Sequence, residues 1–174
     1  MSEERNDNER RDEERGHSLP PLNLPPADLR ISRQGRMVKV YDPLRHRDVA
    51  LTPEEYVRQS FVAYLTGHLH YPQSVVANEV QIELNDTRRR CDTVVFGAGG
   101  LPLMIVEYKA PHVAITQDVF DQIVRYNMTL RSQYLVVSNG IRHYCCRIDY
   151  HNNTYHFISR IPDYRDIVTE FSSN

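Results

Sequence analysis

Lysine is nearly absent from this chain. Lys39 and Lys109 are the only two among 174 residues, against nineteen arginines. An ammonium is a point donor that holds one water or one phosphate oxygen, whereas a guanidinium is a broad planar fork, so the two are not interchangeable. A chain that meets almost every need for positive charge with arginine has kept an ammonium at Lys109, the end of the strand-like run 103–109. We interpret Lys109 as a residue kept for chemistry.

Other absences narrow the class of protein. Three cysteines without C-x-x-C spacing offer neither a disulfide framework nor a zinc site, and they indicate buried thiols in a reducing compartment. No signal peptide and no long apolar stretch is present, so we expect a cytoplasmic protein with no membrane partner. The chain also lacks a Walker-type glycine loop, and therefore shows no sign of a nucleotide-driven motor.

Charge is distributed unevenly along the chain. Residues 1–16 hold seven acidic and four basic side chains, a net charge of −3, so a total of −2 leaves the remainder at +1. With the prolines that follow, this composition predicts a disordered tail over residues 1–27, a folded domain over 28–165 and a C-terminal tail over 166–174. The domain is not basic enough for strong non-specific nucleic-acid binding.

The periodicity of the folded part predicts an α/β protein. Thr52 and Pro53 indicate the start of a helix, with Glu55 completing a capping box. Three meandering strands follow, then a helix capped by Thr116, a further strand and an antiparallel extension, with a short hairpin near residues 28–41 before the first helix. We therefore expect an α/β sandwich with a central mixed sheet, an αβββαβ core and a C-terminal antiparallel extension.

The glycine-rich stretch 97–102 predicts a hairpin between the β-branched runs on either side of it. With Gly99 and Gly100 at the turn, the chain numbering determines which residues oppose one another. Asp92 faces Glu107, Val94 faces Ile105 and Arg90 faces Lys109. Directly opposed side chains lie on one face of the sheet with Cβ atoms roughly 4.5–5.5 Å apart. Two carboxylates so placed repel each other unless a cation lies between them, and hard oxygen donors suit Mg²⁺ or Mn²⁺.

Simpler interpretations remain open at this point. A glutamate and a lysine on one strand are more often a solvated edge or a cross-strand ion pair. Glu79 is a possible extra acidic ligand, although an exposed glutamate on a strand face is the commoner case. Arg90 and Arg125 belong to local basic clusters that provide candidate substrate contacts, although a triple arginine in a turn is more often a solvated loop.

The spacing Asp92…Glu107-Tyr108-Lys109 resembles the D…(D/E)-x-K signature of the PD-(D/E)XK nuclease superfamily. The identity and spacing of Gln122 and Tyr126 resemble the Q-x-x-x-Y motif of its RecB-like branch. The segments 52–59, 107–111 and 138–140 narrow the resemblance to the N-terminal nuclease domain of type I restriction enzyme R subunits, in its short stand-alone form. One departure is that Cys91, not proline, precedes Asp92.

The resemblance implies a Mg²⁺-dependent deoxyribonuclease, which we expect to be an endonuclease. Asp92, Glu107 and the Tyr108 backbone carbonyl would hold Mg²⁺ or Mn²⁺, and Lys109 would position water or stabilise the charged phosphate. Gln122, Tyr126, Arg90 and Arg125 would bind substrate. DNA is the expected partner, with separate motor or specificity subunits as further partners; the sequence does not determine the oligomeric state. One alternative is a non-catalytic DNA-binding or protein-interaction module; a Schiff-base enzyme built on Lys109 lacks any cofactor cradle.

Overall fold

The computed structural model describes residues 19–84 and 87–172, apart from some side chains. Nine strands and three α-helices lie within these ranges. The strands are β1 (Ile31–Gln34), β2 (Met37–Asp42), β3 (Arg47–Ala50), β4 (Val76–Leu84), β5 (Thr87–Phe96), β6 (Pro102–Tyr108), β7 (Tyr134–Ser138), β8 (His143–Asp149) and β9 (Thr154–Ile158). The helices are α1 (Pro53–Gly67), α2 (Gln117–Asn127) and α3 (Tyr164–Ser172).

The strands form two sheets. β1, β2 and β3 make a small antiparallel sheet, and the other six strands form one mixed sheet in the order β4-β5-β6-β7-β8-β9. Only the β6–β7 pairing within this second sheet is parallel, because α2 carries the chain back to the start of β7. The prediction of an α/β fold with a mixed sheet and a C-terminal antiparallel extension is confirmed. β3 was not predicted from the sequence.

Helices cover both faces of the six-stranded sheet. The apolar strands are buried on each side, as expected for central strands of an α/β protein. On one face the sheet packs against α1, through Phe61 and Leu65, and against Ile167 of α3. On the other face it packs against Phe120 and Val124 of α2. The layers therefore stack as helices, sheet, helix.

The register of the β5–β6 hairpin agrees with the sequence analysis where the two strands pair. Val94 lies opposite Ile105, as predicted, and the register shifts only between Val95 and Phe96. The predicted oppositions of Asp92 with Glu107 and of Arg90 with Lys109 lie beyond the last pair of this register, Thr93–Val106. β6 ends at Tyr108, and the Lys109 N–H donates to Ser138 O of β7 at 2.9 Å, while Arg90 pairs with Gln81 of β4.

Both predicted tails contain packed residues. Within the segment assigned to a disordered tail, Leu22 and Leu24 pack against the core, and the Asn23 N–H donates to Gly140 O at 2.7 Å. Residues 1–18 lie outside the described part. The predicted C-terminal tail is wrong over α3, because Ile167 is completely buried. Apolar side chains at helical spacing in α3 explain the difference, since they complete the core on the α1 face.

The cysteines lie in the interior, as their spacing predicted. All three cysteines are buried, and none forms a disulfide. Across the described ranges, no helix is both long and apolar enough to cross a bilayer.

We predict that Gly140→Ala destabilises the fold by about 1–3 kcal/mol. Gly140 has a φ of +81°, and an added Cβ would lie 2.7 Å from Leu22 Cδ2 and 3.1 Å from Val57 Cγ2. Gly67→Ala is the matched control, because its φ is ordinary and no atom lies within 4 Å of the new Cβ. Thermal melting of both variants tests the prediction. Equal melting temperatures would show that the N-terminal segment does not pack tightly at this turn.

Candidate active site

The middle of β5 and the carboxyl end of β6 bring together the residues singled out in the sequence. Asp92 lies one step beyond the Thr93–Val106 pair, and its Oδ2 accepts a hydrogen bond from the Tyr108 N–H at 2.9 Å. Glu107 precedes Tyr108 on β6 and interacts with Asp92, and the Lys109 ammonium lies near enough to act on Glu107. The hairpin therefore places two carboxyl groups and one ammonium at one end of the sheet.

Glu107 carries the strongest electrostatic signal of this group. Burial, followed by the charge of Asp92, raises the pKa of Glu107 to about 8, and hydrogen bonding to Asp92 adds to the effect. Lys109 and Arg58 oppose the shift but do not cancel it. Burial and the charge of Asp92 thus favour the neutral form of Glu107, and a bound cation would favour the ionised form.

A third acidic residue reaches the site from the first turn of α1. Burial, then the charge of Asp92, raises the pKa of Glu54, whereas Lys109 lowers it. Glu54 therefore lies within electrostatic reach of both residues, although no role was predicted for it from the sequence. The available signal was the pair of glutamates after Pro53, but only the docking of α1 on the sheet brings Glu54 within this reach.

Arg58 of α1 is the principal functional candidate that the sequence analysis missed. Its side chain is buried, and its guanidinium contacts three carboxylates. Arg58 Nη1 lies 2.7 Å from Glu55 Oε2 and 2.6 Å from Glu79 Oε1, and Arg58 Nη2 lies 2.9 Å from Asp92 Oδ1. Although burial opposes it, the carboxylates raise the pKa of Arg58. One buried cation thus balances part of the negative charge around Asp92.

Glu79 occupies a position different from that of a free metal ligand. One of its oxygens contacts Arg58 and the other contacts Arg90, so both are engaged by guanidinium groups. Its φ of +56°, inside strand β4, is a left-handed conformation that costs a non-glycine residue about 1–3 kcal/mol. The ion pair with buried Arg58 offsets part of that cost, whereas the pair with the mostly exposed Arg90 contributes little. Arg90 in turn is mostly exposed and lies at the rim of the site.

Glu55 does not complete the predicted capping box. Thr52 caps α1 as expected, since its Oγ1 accepts from the Glu55 N–H at 3.0 Å. The Glu55 carboxylate, however, binds Arg45 and Gln59 through Oε1 and Arg58 through Oε2. Hydrogen bonds from charged partners stabilise a buried carboxylate more than a bond from a backbone N–H at the helix end does. Glu55 therefore binds the arginines and does not complete the capping box.

These contacts belong to a closed ring of polar groups. From Asp92 the first arm runs through Arg58 and Glu55 to Arg45, whose Nη2 lies 2.6 Å from Glu55 Oε1 and whose Nε contacts Asp42. The second arm leaves Asp92 through Tyr108. The Tyr108 hydroxyl donates to Thr93 Oγ1, Thr93 to Asn78 Oδ1, and Asn78 Nδ2 to Asp42 Oδ2, at 3.0, 2.6 and 2.9 Å. The ring connects the small sheet to the site.

The predicted substrate-binding residues are less closely associated with the site. Gln122 and Arg125 are exposed on α2, and Arg125 Nε donates to Asp121 O of its own helix at 3.3 Å. Among the described contacts, none joins either residue to Asp92, Glu107 or Lys109. The Tyr126 side chain lies outside the described set. Their substrate-binding roles stay predictions.

The donor set suits a hard divalent cation. No group of three or more His, Cys, Asp or Glu side chains in the described ranges forms a complete metal site. The carboxyl pair of Asp92 and Glu107 nevertheless supplies hard oxygen atoms, and each Asp92 oxygen keeps a free lone pair beyond its present hydrogen bond. The ring and its neighbours contain six carboxyl groups and four basic side chains, so full ionisation leaves two excess negative charges. They are Asp42, Glu54, Glu55, Glu79, Asp92, Glu107, Arg45, Arg58, Arg90 and Lys109.

Comparison with known proteins identifies the family. Residues 53–162 match the family model for the type I restriction enzyme R protein N terminus, which covers more than half of the chain. The chain belongs to this family. No curated protein matches it. Among solved structures, it is similar to a fragment described as an HsdR subunit of a type I restriction enzyme from Vibrio vulnificus YJ016, with 17% identity and a TM-score of 0.48 over 69% of this chain. The match spans 25% of that structure's chain.

The family match and the site geometry coincide. The matched residues 53–162 contain α1 and the complete six-stranded sheet, and therefore all of Glu54, Arg58, Asp92, Glu107 and Lys109. The small sheet and the segment around Leu22 lie before the matched range. A nuclease-related role follows from the R-protein N-terminal family at this coarse level.

Glu107 predicts a pH dependence for the metal-free protein. Its pKa is about 8 in the folded state, whereas in the unfolded chain it ionises near the ordinary value of 4.5. Between these two pH values the folded state binds one more proton than the unfolded chain does. The stabilisation that this proton provides is fully present below pH ~4.5 and is lost as the pH rises through 8. In EDTA, we expect wild type to lose about 5 °C or more in melting temperature relative to Glu107→Gln between pH 5 and 8.

Melting curves at several pH values, with Glu83→Gln as the exposed control, test this expectation. Parallel pH profiles for wild type and Glu107→Gln would show that Glu107 ionises normally in the folded protein.

Proposed function

We propose that this protein hydrolyses DNA phosphodiester bonds with a bound divalent cation, Mg²⁺ or Mn²⁺. The observation that carries the proposal is the placement of Asp92, Glu107 and Lys109 together at the end of β6, where Asp92 Oδ2 accepts from the Tyr108 N–H and the charge of Asp92 acts on the buried Glu107 carboxyl. Asp92, Glu107 and the Tyr108 backbone carbonyl would hold the cation. When bound, such a cation lowers the pKa of a coordinated water and neutralises charge on a phosphate.

The residues of the chain have distinct roles in this proposal. Asp92 and Glu107 orient toward one position because one oxygen of Asp92 is held by Arg58 and the other by the Tyr108 N–H. Lys109 follows β6 directly, and its backbone N–H donates a hydrogen bond to Ser138 O at the end of β7. The backbone that carries the Lys109 side chain is therefore held in place. From there the ammonium holds the attacking water or donates to a phosphate oxygen. Exposed Arg90 and Arg125 contact the DNA backbone, and Gln122 and Tyr126 orient substrate.

The proposal also places the domain in the PD-(D/E)XK superfamily with a restriction-endonuclease-like core. The order α1, β4–β6, α2, β7 supports this assignment, as does the position of Asp92 opposite the end of β6. We propose a cytoplasmic endonuclease that works with separate motor or specificity subunits, because its family is that of the N terminus of type I restriction enzyme R proteins.

A non-catalytic DNA-binding or protein-interaction module is the second candidate. The observation in its favour is that Asp92 and Glu79 are already held by arginines, so that a cation must compete with Arg58 for part of the donor set. Such a module would retain the fold and the buried ion pairs without turnover. Catalysis therefore has to be measured directly.

The primary experiment exposes supercoiled plasmid and linear single- and double-stranded DNA to the full chain in Mg²⁺, Mn²⁺ or EDTA. We expect metal-dependent nicking of the plasmid. DNA retention without cleavage in every metal condition would favour the second candidate. Cleavage that persists in EDTA would rule out a metal-dependent reaction.

We predict that Asp92→Ala, Glu107→Ala and Lys109→Ala each lower the cleavage rate at least about 100-fold, and that Lys109→Arg does not restore it. The two lysines provide a matched pair. Lys39 Nζ donates to Gln34 Oε1 at 2.6 Å in the small sheet, away from the site, so Lys39→Arg should keep full activity. Plasmid-nicking rates and circular dichroism of all five variants test this. Wild-type turnover by Lys109→Arg would contradict the role of a compact donor.

A further inference from the structure

Arg58 is buried at the centre of the acidic site and cannot be reached by substrate. Only 4% of the residue is exposed. Its two terminal nitrogens contact Glu55, Glu79 and Asp92, which come from α1, β4 and β5. The guanidinium carbon also lies 5.8 Å from the centre of the Tyr108 ring, the residue whose N–H binds the other side of Asp92. Arg58 thus acts on the site only through its neighbours.

We propose that Arg58 is a positioning residue for the metal-binding pair: its guanidinium fixes the orientation of Asp92 so that Asp92 and Glu107 present oxygens to one cation. This inference rests on the proposed function. The role goes beyond charge balance. A nearby positive charge by itself opposes the binding of a cation, whereas an oriented Asp92 carboxylate favours it.

The contacts of Asp92 explain why an orienting group is needed. Asp92 and Glu107 repel each other when both are ionised, so an unrestrained Asp92 carboxylate would rotate away from Glu107. Two hydrogen bonds prevent this rotation, one from Arg58 Nη2 to Oδ1 and one from the Tyr108 N–H to Oδ2, each at 2.9 Å. The backbone donor is supplied by β6 itself. The side-chain donor is the one that substitution can remove.

The geometry of Arg58 favours this role over simple neutralisation. Its Nε is buried without a hydrogen-bond partner, an unfavourable arrangement for a donor. The side chain keeps this orientation because Nη1 and Nη2 together reach three carboxylates on separate elements. A lysine ammonium carries the same charge, but lacks the planar fork that spans Glu55, Glu79 and Asp92 at once.

Arg58 is itself held by the polar ring. Glu55 Oε2 anchors Nη1, and Glu55 Oε1 is fixed by Arg45, which contacts the buried Asp42 at the end of β2. Glu55 has no described contact with Asp92. A change at Glu55 that keeps its charge therefore tests the positioning role without altering either ligand.

The experiment measures Mn²⁺ binding by electron paramagnetic resonance in wild type, Arg58→Lys, Arg58→Met and Glu55→Asp. We expect at least tenfold weaker Mn²⁺ binding in both Arg58 variants, and severalfold weaker binding in Glu55→Asp, whose shorter side chain withdraws from Arg58 at unchanged charge. The kcat for plasmid cleavage should fall while the KM for DNA changes less than twofold, since Arg58 does not touch substrate. Arg160→Lys is the control, because Arg160 forms an exposed ion pair with Asp166 at 3.2 Å, outside the polar ring.

The outcomes separate positioning from charge. If Arg58 only neutralises acids, Arg58→Lys binds Mn²⁺ as wild type does and Arg58→Met binds it more tightly, and that result overturns the inference while the proposed function stands. Should Arg58→Lys fail to fold, wild-type affinity in Glu55→Asp overturns it equally. Failure of wild type to bind Mn²⁺ at all would overturn both the inference and the proposed metal site.

Discussion

The guanidinium of Arg58 joins three elements that are far apart in the chain. It contacts carboxylates from α1, β4 and β5, and one of these is Asp92. Buried charges are costly unless they are paired and hydrogen-bonded, so the cluster is stable only when the helix and both strands are docked in the observed arrangement. The position of the small sheet depends on the same cluster, because its Asp42 closes the ring.

The chemistry is concentrated where the sheet changes from antiparallel to parallel pairing. β6 is the last strand of the meander, and it also pairs in parallel with β7, so Lys109 is held against Ser138 just as the strand ends. The first turn of α1 points Glu54 toward the same end. Acidic side chains that repel one another lower stability without a cation, and they are tolerated here because arginines balance most of their charge. A bound cation would balance the remainder.

Much of the framework was predictable from local patterns. Alternating β-branched runs and the glycine turn predicted the β5–β6 hairpin and the opposition of Val94 and Ile105, and Thr52 predicted the start of α1. Two packed segments were missed for different reasons. Leu22 and Leu24 lie in a proline-rich segment that resembles a linker, and only their packing against the core shows that they are ordered. The helix α3 has apolar side chains at helical spacing, a local signal that is weak because the helix is short.

The sequence by itself determined most of the strands, the first two helices and the spacing that brings Asp92 near Glu107, because pairing in a hairpin depends only on the residues that the hairpin contains. The tertiary structure decided which charges surround that pair. Arg58 precedes Asp92 by 34 residues, and no periodicity relates them. Their contact exists because α1 packs across the sheet. The contacts of the same guanidinium with Glu79 and Glu55 have the same cause. Charged side chains interact according to their separation in space, and the packing of the core determines that separation.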